Sequence, residues 1–250
     1  MSRTLTTFVA PLGLFVTLVL AWWAVAAVSP PYLLPGPAPT AARLGSELLG
    51  ASLWQHLGWT LAEAFGGCLL GAAVALPLAL LIHRSKLVSA AVNPFLGATQ
   101  AIPAIALAPL LVLWIGYGMG AVVILCALMV FFPILISARL GLKHVNHELV
   151  EAARLDGAGS AQLFWQLEGP LALPAALAGI RNGFTLSITG AVVGEMVMGG
   201  NGLGTLLTVQ RDAVDTTGMF ASLIVLCVFA GGIYSGVRAL DHAVSRKIGV

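Results

Sequence analysis

Glu63 and Arg181 are ionisable residues set inside long apolar stretches, and they are the first places to look for chemistry. A charge in such a setting is costly and by default faces protein or a wet cavity, where it can bind solute or support ion coupling. Glu63 therefore either pairs with a cation or touches a pathway. Arg181, Thr185 and Thr189 recur at helical spacing, and Gln100 stands just before Pro103. Such groups bind a solute or hydrogen-bond neighbouring helices, and the pattern leaves both open. Pro94, Pro103 and Pro109 free backbone carbonyls within one apolar stretch, which is tolerated only where protein or a cavity receives them, so that stretch points to a pathway wall.

Other chemistries fall away. No Gly-x-x-x-x-Gly-Lys-Ser/Thr run exists, so no phosphate-cradling loop is expected and any ATP and Mg2+ belong to another subunit. Gly200-Asn201-Gly202-Leu203-Gly204 looks like a dinucleotide loop only superficially, since no strand precedes it. With Gly194 and Gly199, these glycines make a flexible turn in which Glu195 either caps free amides or, with Gly202 and Gly204, meets an external binding protein. His144 and His147 could share a helix face, but no cysteine or carboxylate completes a metal set. Cys68, Cys126 and Cys227 lie in apolar sequence and read as packing residues. No catalytic residue, metal or cofactor is expected on this chain.

The stretch Glu151-Ala152-Ala153-Arg154-Leu155-Asp156-Gly157, followed by Ala158, is polar sequence between apolar segments. Leu149, Val150, Ala153 and Leu155 give a short helix an apolar side, while Glu148, Glu151 and Arg154 keep another side polar. Gly157 stops that helix by turning left-handed, Ser160 caps a second helix running through Phe164 and Leu167, and Pro170 ends it. Such a hairpin either lies on its own membrane domain or docks on a partner, and the pattern alone does not separate the two.

Composition fixes the surroundings in which these residues work. The chain has 250 residues, 59% of them hydrophobic and 9% charged, more apolar surface than a soluble domain can hide. A helix needs about 20 apolar residues to span a bilayer. Six stretches qualify, near residues 8–28, 57–82, 87–115, 119–138, 171–194 and 218–237, and together they predict one all-α membrane domain over residues 1–250. The first lacks a signal-peptide cleavage site and is read as retained. Residues 29–39, rich in proline, are expected to be an extended connection, followed by an amphipathic stretch over 40–56 with Trp54 and Trp59 as headgroup anchors.

Lysine and arginine set the orientation. With a cytoplasmic amino terminus, Arg3, Arg84, Lys86, Arg139, Lys143, Arg154, Arg238, Arg246 and Lys247 all fall inside, and only Arg43 and Arg211 outside. Both termini and residues 139–170 are thus expected in the cytoplasm. The net charge of +2 is a topology signal, and no basic face with interleaved aromatics suggests nucleic acid.

The ordered set Leu34-Pro35-Gly36-Pro37, Leu53-Trp54-Gln55-His56-Leu57, Pro103 and Pro109 before Trp114-Ile115-Gly116-Tyr117-Gly118, Phe131-Phe132-Pro133-Ile134, the Glu151 stretch, and Gly194-Glu195 ahead of Gly202-Leu203-Gly204 covers residues 34–240. It resembles the ABC importer permeases that serve nitrate, aliphatic sulfonates, taurine and pyrimidine precursors of thiamine. The resemblance implies a type I importer fold with six transmembrane helices. It further implies that Glu151, Ala152, Ala153, Asp156, Gly157 and Ala158 form the EAA loop that docks on an ATP-binding subunit. The implied assembly is a homodimer in the bacterial inner membrane, with two ATP-binding cassette subunits and an extracytoplasmic solute-binding protein. ATP-driven closure would then switch access through the pair.

Two positions depart from the family pattern. Gly169 stands where leucine usually precedes the loop proline, and Glu63 stands where relatives often carry arginine. Outside the family, an ion-coupled secondary transporter would draw on Glu63 and Arg181 for coupling, and a non-transporting structural subunit would need neither. The transported solute is not legible.

Overall fold

The apolar stretches fold as helices, and the computed structural model shows where each begins and ends. It describes the backbone of residues 2–100 and 103–248, with side-chain surroundings for residues 10–96 and 103–236. The side chain of Gln100, and those of Arg3, Arg238, Arg246 and Lys247, lie outside the described residues.

In chain order the elements are α1 (Ser2–Val28), α2 (Pro37–Leu49), α3 (Ala51–Arg84), α4 (Lys86–Gln100), a 3-10 turn (Ala104–Leu107), α5 (Ala108–Ile115), α6 (Met119–Lys143), α7 (His147–Leu155), α8 (Ser160–Leu163), a π turn (Phe164–Glu168), α9 (Gly169–Met198), α10 (Leu203–Asp212) and α11 (Thr216–Ile248). Every regular element among the described residues is helical. Five helical segments are long and apolar enough to cross a membrane: Ala10–Val28, Ala51–Arg84, Met119–Lys143, Ser160–Met198 and Thr216–Gly236.

The expected single span over 87–115 is divided into α4, the 3-10 turn and α5. Pro103 is extended (φ −64°, ψ 109°) and precedes the turn, and Pro109 sits in the first turn of α5, where its missing N–H has no intrahelical partner to lose. The same rule corrects the connection over 29–39, which is not extended throughout. Pro37 opens α2 instead of preventing it. Gly50 then separates α2 from α3, so the amphipathic stretch over 40–56 is two helices, and Trp54 and Trp59 belong to α3.

The core is the packing of α6 against α3 and α9. Leu125, Val130, Ile134 and Leu135 of α6 meet Ala64, Cys68, Ala75 and Ala79 of α3 and Phe184, Ile188 and Ala191 of α9, all buried. The buried positions of α3 carry small residues every four places (Gly67, Gly71, Ala75, Ala79), which lets two helix backbones approach closely where lipid offers no hydrophobic drive. A β-carbon added at Gly71 would lie 2.9 Å from the Ala127 carbonyl oxygen of α6. Ser187 of α9 ties the three helices together: its hydroxyl donates to the Ala64 carbonyl at 2.7 Å, and its own carbonyl accepts from Cys126 Sγ at 3.3 Å. At one end of the bundle, Trp22 Nε1 of α1 donates to the Pro35 carbonyl at 3.0 Å and its ring stacks on Phe220 of α11.

Candidate functional site

Asn146 starts the hairpin by accepting the Glu148 N–H on its side-chain oxygen at 2.9 Å, an N-cap that lies ahead of the residues the sequence singles out. α7 then ends on a double hydrogen bond: Ala158 N–H to the Ala153 carbonyl and Gly157 N–H to the Arg154 carbonyl, each 3.0 Å. This Schellman closure needs its central residue left-handed, and Gly157 has φ +86°. Glu151, Ala152, Asp156 and Gly157 are exposed and Ala153 and Ala158 half-buried. No residue of α7 is buried, and Leu155 is 89% exposed although its neighbours make that side apolar. Val150 and Ala153 of its apolar side are half-buried, while Leu149 and Leu155 stay exposed.

The second arm differs from expectation in two ways. Ser160 is the first helical residue and caps nothing with its hydroxyl, Gly159 holding the cap position instead. Pro170 does not end the arm, because the helix runs on from Ser160 to Met198. A π turn over Phe164–Glu168 makes that continuity feasible: Gly169 N–H reaches back to the Phe164 carbonyl, and the wider turn relieves the clash a proline ring makes with the preceding turn. The departure at Gly169 follows from the same geometry, since a β-carbon there would stand 2.8 Å from the Phe164 carbonyl oxygen. Behind the turn, the Glu168 carboxylate is buried and accepts from Arg84, the last residue of α3, at 2.6 Å.

A second polar cluster lies at the other end of α3 and α9. The Thr60 hydroxyl donates to Glu195 Oε1 at 2.7 Å and accepts the Leu203 N–H at 2.8 Å, while Glu195 Oε2 accepts the Gly204 N–H at 2.5 Å. Thr60 and Glu195 together satisfy the first two amides of α10, the anion sitting where the helix dipole favours it. Glu195 is 1% exposed, Gly202 and Gly204 are buried with it, and Glu195 serves an internal cap. Glu63 is also 1% exposed, and its carboxyl borders the same glycine, Gly200, as the Glu195 side chain. Glu63 Oε2 has no hydrogen-bond partner among the described residues.

Among the described residues, the pathway candidates lie on α3, at the break before α5 and on α9. Thr185 and Thr189 are exposed on α9 and donate to their own helix, to the Arg181 and Thr185 carbonyls at 3.3 and 3.4 Å. Arg181 lies on the same face, half-buried, with its guanidinium 5.5 Å from the Tyr234 ring centroid of α11. Pro103 is exposed at the break before α5. Among the described residues no cluster of His, Cys, Asp and Glu could hold a metal.

Three comparisons set this architecture among known proteins. Residues 67–249 match the family model described as binding-protein-dependent transport system inner membrane component. The chain belongs to this family. The permease is 41% identical to the riboflavin transport system permease protein RibX of Chloroflexus aurantiacus over 98% of its own length and 93% of the relative's. It is 34% identical to the formylaminopyrimidine transport permease protein ThiX of Halalkalibacterium halodurans, over 92% of each chain. To the taurine transport system permease protein TauC of Escherichia coli it is 28% identical, covering 97% of the permease and 90% of TauC. Its fold is shared with a chain of the inward-facing MetNI methionine ABC transporter, with a TM-score of 0.70, 22% identity and coverage of 77% and 96%. A chain of an amino acid ABC transporter matches at a TM-score of 0.65 and 18% identity, covering 82% and 97%. The permease is a membrane component of an ABC importer for a small solute, with the type I importer fold, and its family works with ATP-binding subunits and a substrate-binding protein.

Sequence reading missed Thr60, Arg84 and Glu168. A threonine three residues from an intramembrane acid was a usable signal for the first. Arg84 and Glu168 lie 84 residues apart in the chain, and no local pattern joins them.

Proposed function

We propose that the permease carries riboflavin or a closely related heteroaromatic vitamin precursor into the cell. The observation that carries this reading is the 41% identity to the riboflavin permease over 98% of the chain, above the values for the formylaminopyrimidine and taurine relatives. Two copies of the chain would enclose the pathway, two ATP-binding cassette subunits would hold ATP and Mg2+, and an extracytoplasmic binding protein would deliver the solute. Both termini and the hairpin face the cytoplasm in this arrangement, as the distribution of lysine and arginine favours. Docking at α7 is supported by the exposed Leu149 and Leu155 on its apolar side, which a helix lying on its own membrane domain would have covered.

Uptake of radiolabelled riboflavin by vesicles holding the assembled transporter and its cognate binding protein tests the substrate. Uptake that needs ATP and competes with unlabelled flavin but not with taurine is expected. Competition by taurine or formylaminopyrimidine in place of flavin would reassign the solute.

A further inference from the structure

Arg84 closes α3 and reaches across to both ends of the second hairpin arm. Its Nη2 donates to Glu168 Oε2 at 2.6 Å and to the Ser160 carbonyl at 3.3 Å. Ser160 opens α8 and Glu168 closes the π turn, so one guanidinium holds residues 160–168 at their two extremities. His83 adds a second contact, with Nε2 3.6 Å from Glu168 Oε1. The Glu168 side chain is 5% exposed and that of Arg84 28%, which shields the pair from the screening that weakens surface ion pairs.

The covalent joint of the same arm to α9 is weaker by construction. It passes through the π turn, and Pro174 removes a backbone donor from the turns that follow. A rigid element displaced at the hairpin moves what it is clamped to and bends where its ladder is interrupted. The clamp is on α3, and the interruption lies toward α9.

We propose that Arg84 is a positioning residue for transport: through Glu168 and Ser160 it makes the second hairpin arm move with the end of α3, while α9 pivots at the π turn. This rests on the reading of the hairpin as the docking element for the ATP-binding subunit. Nothing in it requires Arg84 to touch solute or nucleotide.

The test uses the full assembly with MgATP and the cognate binding protein. Arg84→Gln and Glu168→Gln should leave the ATP-binding subunits co-purifying and basal hydrolysis unchanged, yet lower binding-protein-stimulated hydrolysis about tenfold. A double variant, Arg84→Cys with Glu168→Cys, made with Cys227→Ser because Cys68 and Cys126 are buried, should behave alike until a bismaleimide bridging the two thiols restores stimulation. Stimulation unchanged in the single variants, loss of the ATP-binding subunits with them, or a bridged variant that stays unstimulated would each overturn the proposal.

A measurement that keeps Arg84 in place covers variants that fail to accumulate. Spin labels at exposed Leu81 of α3 and Gln162 of α8 should keep their separation when MgATP and vanadate trap the assembly, whereas labels at Gln162 and Leu186 of α9 should change theirs. A Leu81 to Gln162 separation that shifts as much as the other pair sinks the idea. Docking is read separately, by whether Ala153→Asp strips the ATP-binding subunits from the complex, so failure there is distinguishable from failure of the clamp.

Discussion

The Thr60 hydroxyl and Glu195 Oε1 meet at 2.7 Å across 135 residues of chain, joining α3 to α9 where α10 begins. The bond matters because neither residue is finished by it: each also accepts an amide from the first turn of α10. Removing either one exposes buried N–H groups to an environment with no water to replace the partner.

Glu195→Ala should therefore destabilise the permease by about 1.5–3 kcal/mol, the range for a hydrogen bond to a charged group. Thermal unfolding in detergent, followed by the protein remaining in solution, checks it. Glu63→Gln should not lower the midpoint, since a neutral amide costs less to bury than a carboxylate and can donate to the neighbouring Glu195. A Glu63→Gln midpoint below the parent's by as much as that of Glu195→Ala would show that the Glu63 carboxyl has a role beyond this contact.

Gly157→Val should cost about 1–2 kcal/mol at the turn, because a β-branched residue at φ +86° meets its own carbonyl. The spans insert independently of this loop, so membrane levels should match the parent. Co-purification with the ATP-binding subunits and uptake should both fall. An intact complex with full uptake would show that the hairpin is not the coupling element.

Gly71→Leu should lower accumulation, with a cost of about 1–3 kcal/mol or more from overpacking, since the new side chain has the α6 backbone in its way. Gly231→Leu on α11, where a β-carbon meets nothing within 4 Å, is the control and should accumulate normally. Quantitative membrane immunoblots of the two variants settle the comparison.

Cysteines placed at Pro37 and at the exposed Arg211 should react with a membrane-impermeant maleimide added from outside intact cells, and one at Ser160 should not. Labelling of Ser160 from outside would invert the assigned orientation. Gln210, next to Arg211, is buried and bonded to Ser222, so it makes a poor probe of the same face.

The chain alone should hydrolyse no ATP and move no solute, because it has no phosphate-cradling loop. Proteoliposomes with and without the ATP-binding subunits give the answer, and uptake by the chain alone would favour the ion-coupled reading.

Local chemistry was legible without coordinates. Apolar runs named the helices, Gly157 named the turn that ends α7, and the ordered motifs named the family, since each depends on residues within a few positions of one another. Proline was read too simply. At Pro37 and Pro109 it opens helices, and at Pro170 it is absorbed by a π turn, because a missing N–H matters only where the ladder would have used it.

The partners of buried charges were decided by tertiary structure alone. Glu63 and Glu195 both carry acid on apolar helices, and the sequence left each with two roles; that Glu195 caps a helix while Glu63 lies beside it depends on α3, α9 and α10 converging. Arg84 and Glu168 look like unrelated polar residues at the ends of two spans until the hairpin folds back on α3. Helix formation follows from hydrogen bonds within one segment, so a linear pattern suffices for it. The pairing of distant charges follows from how segments pack, and that information is spread over every contact in the core.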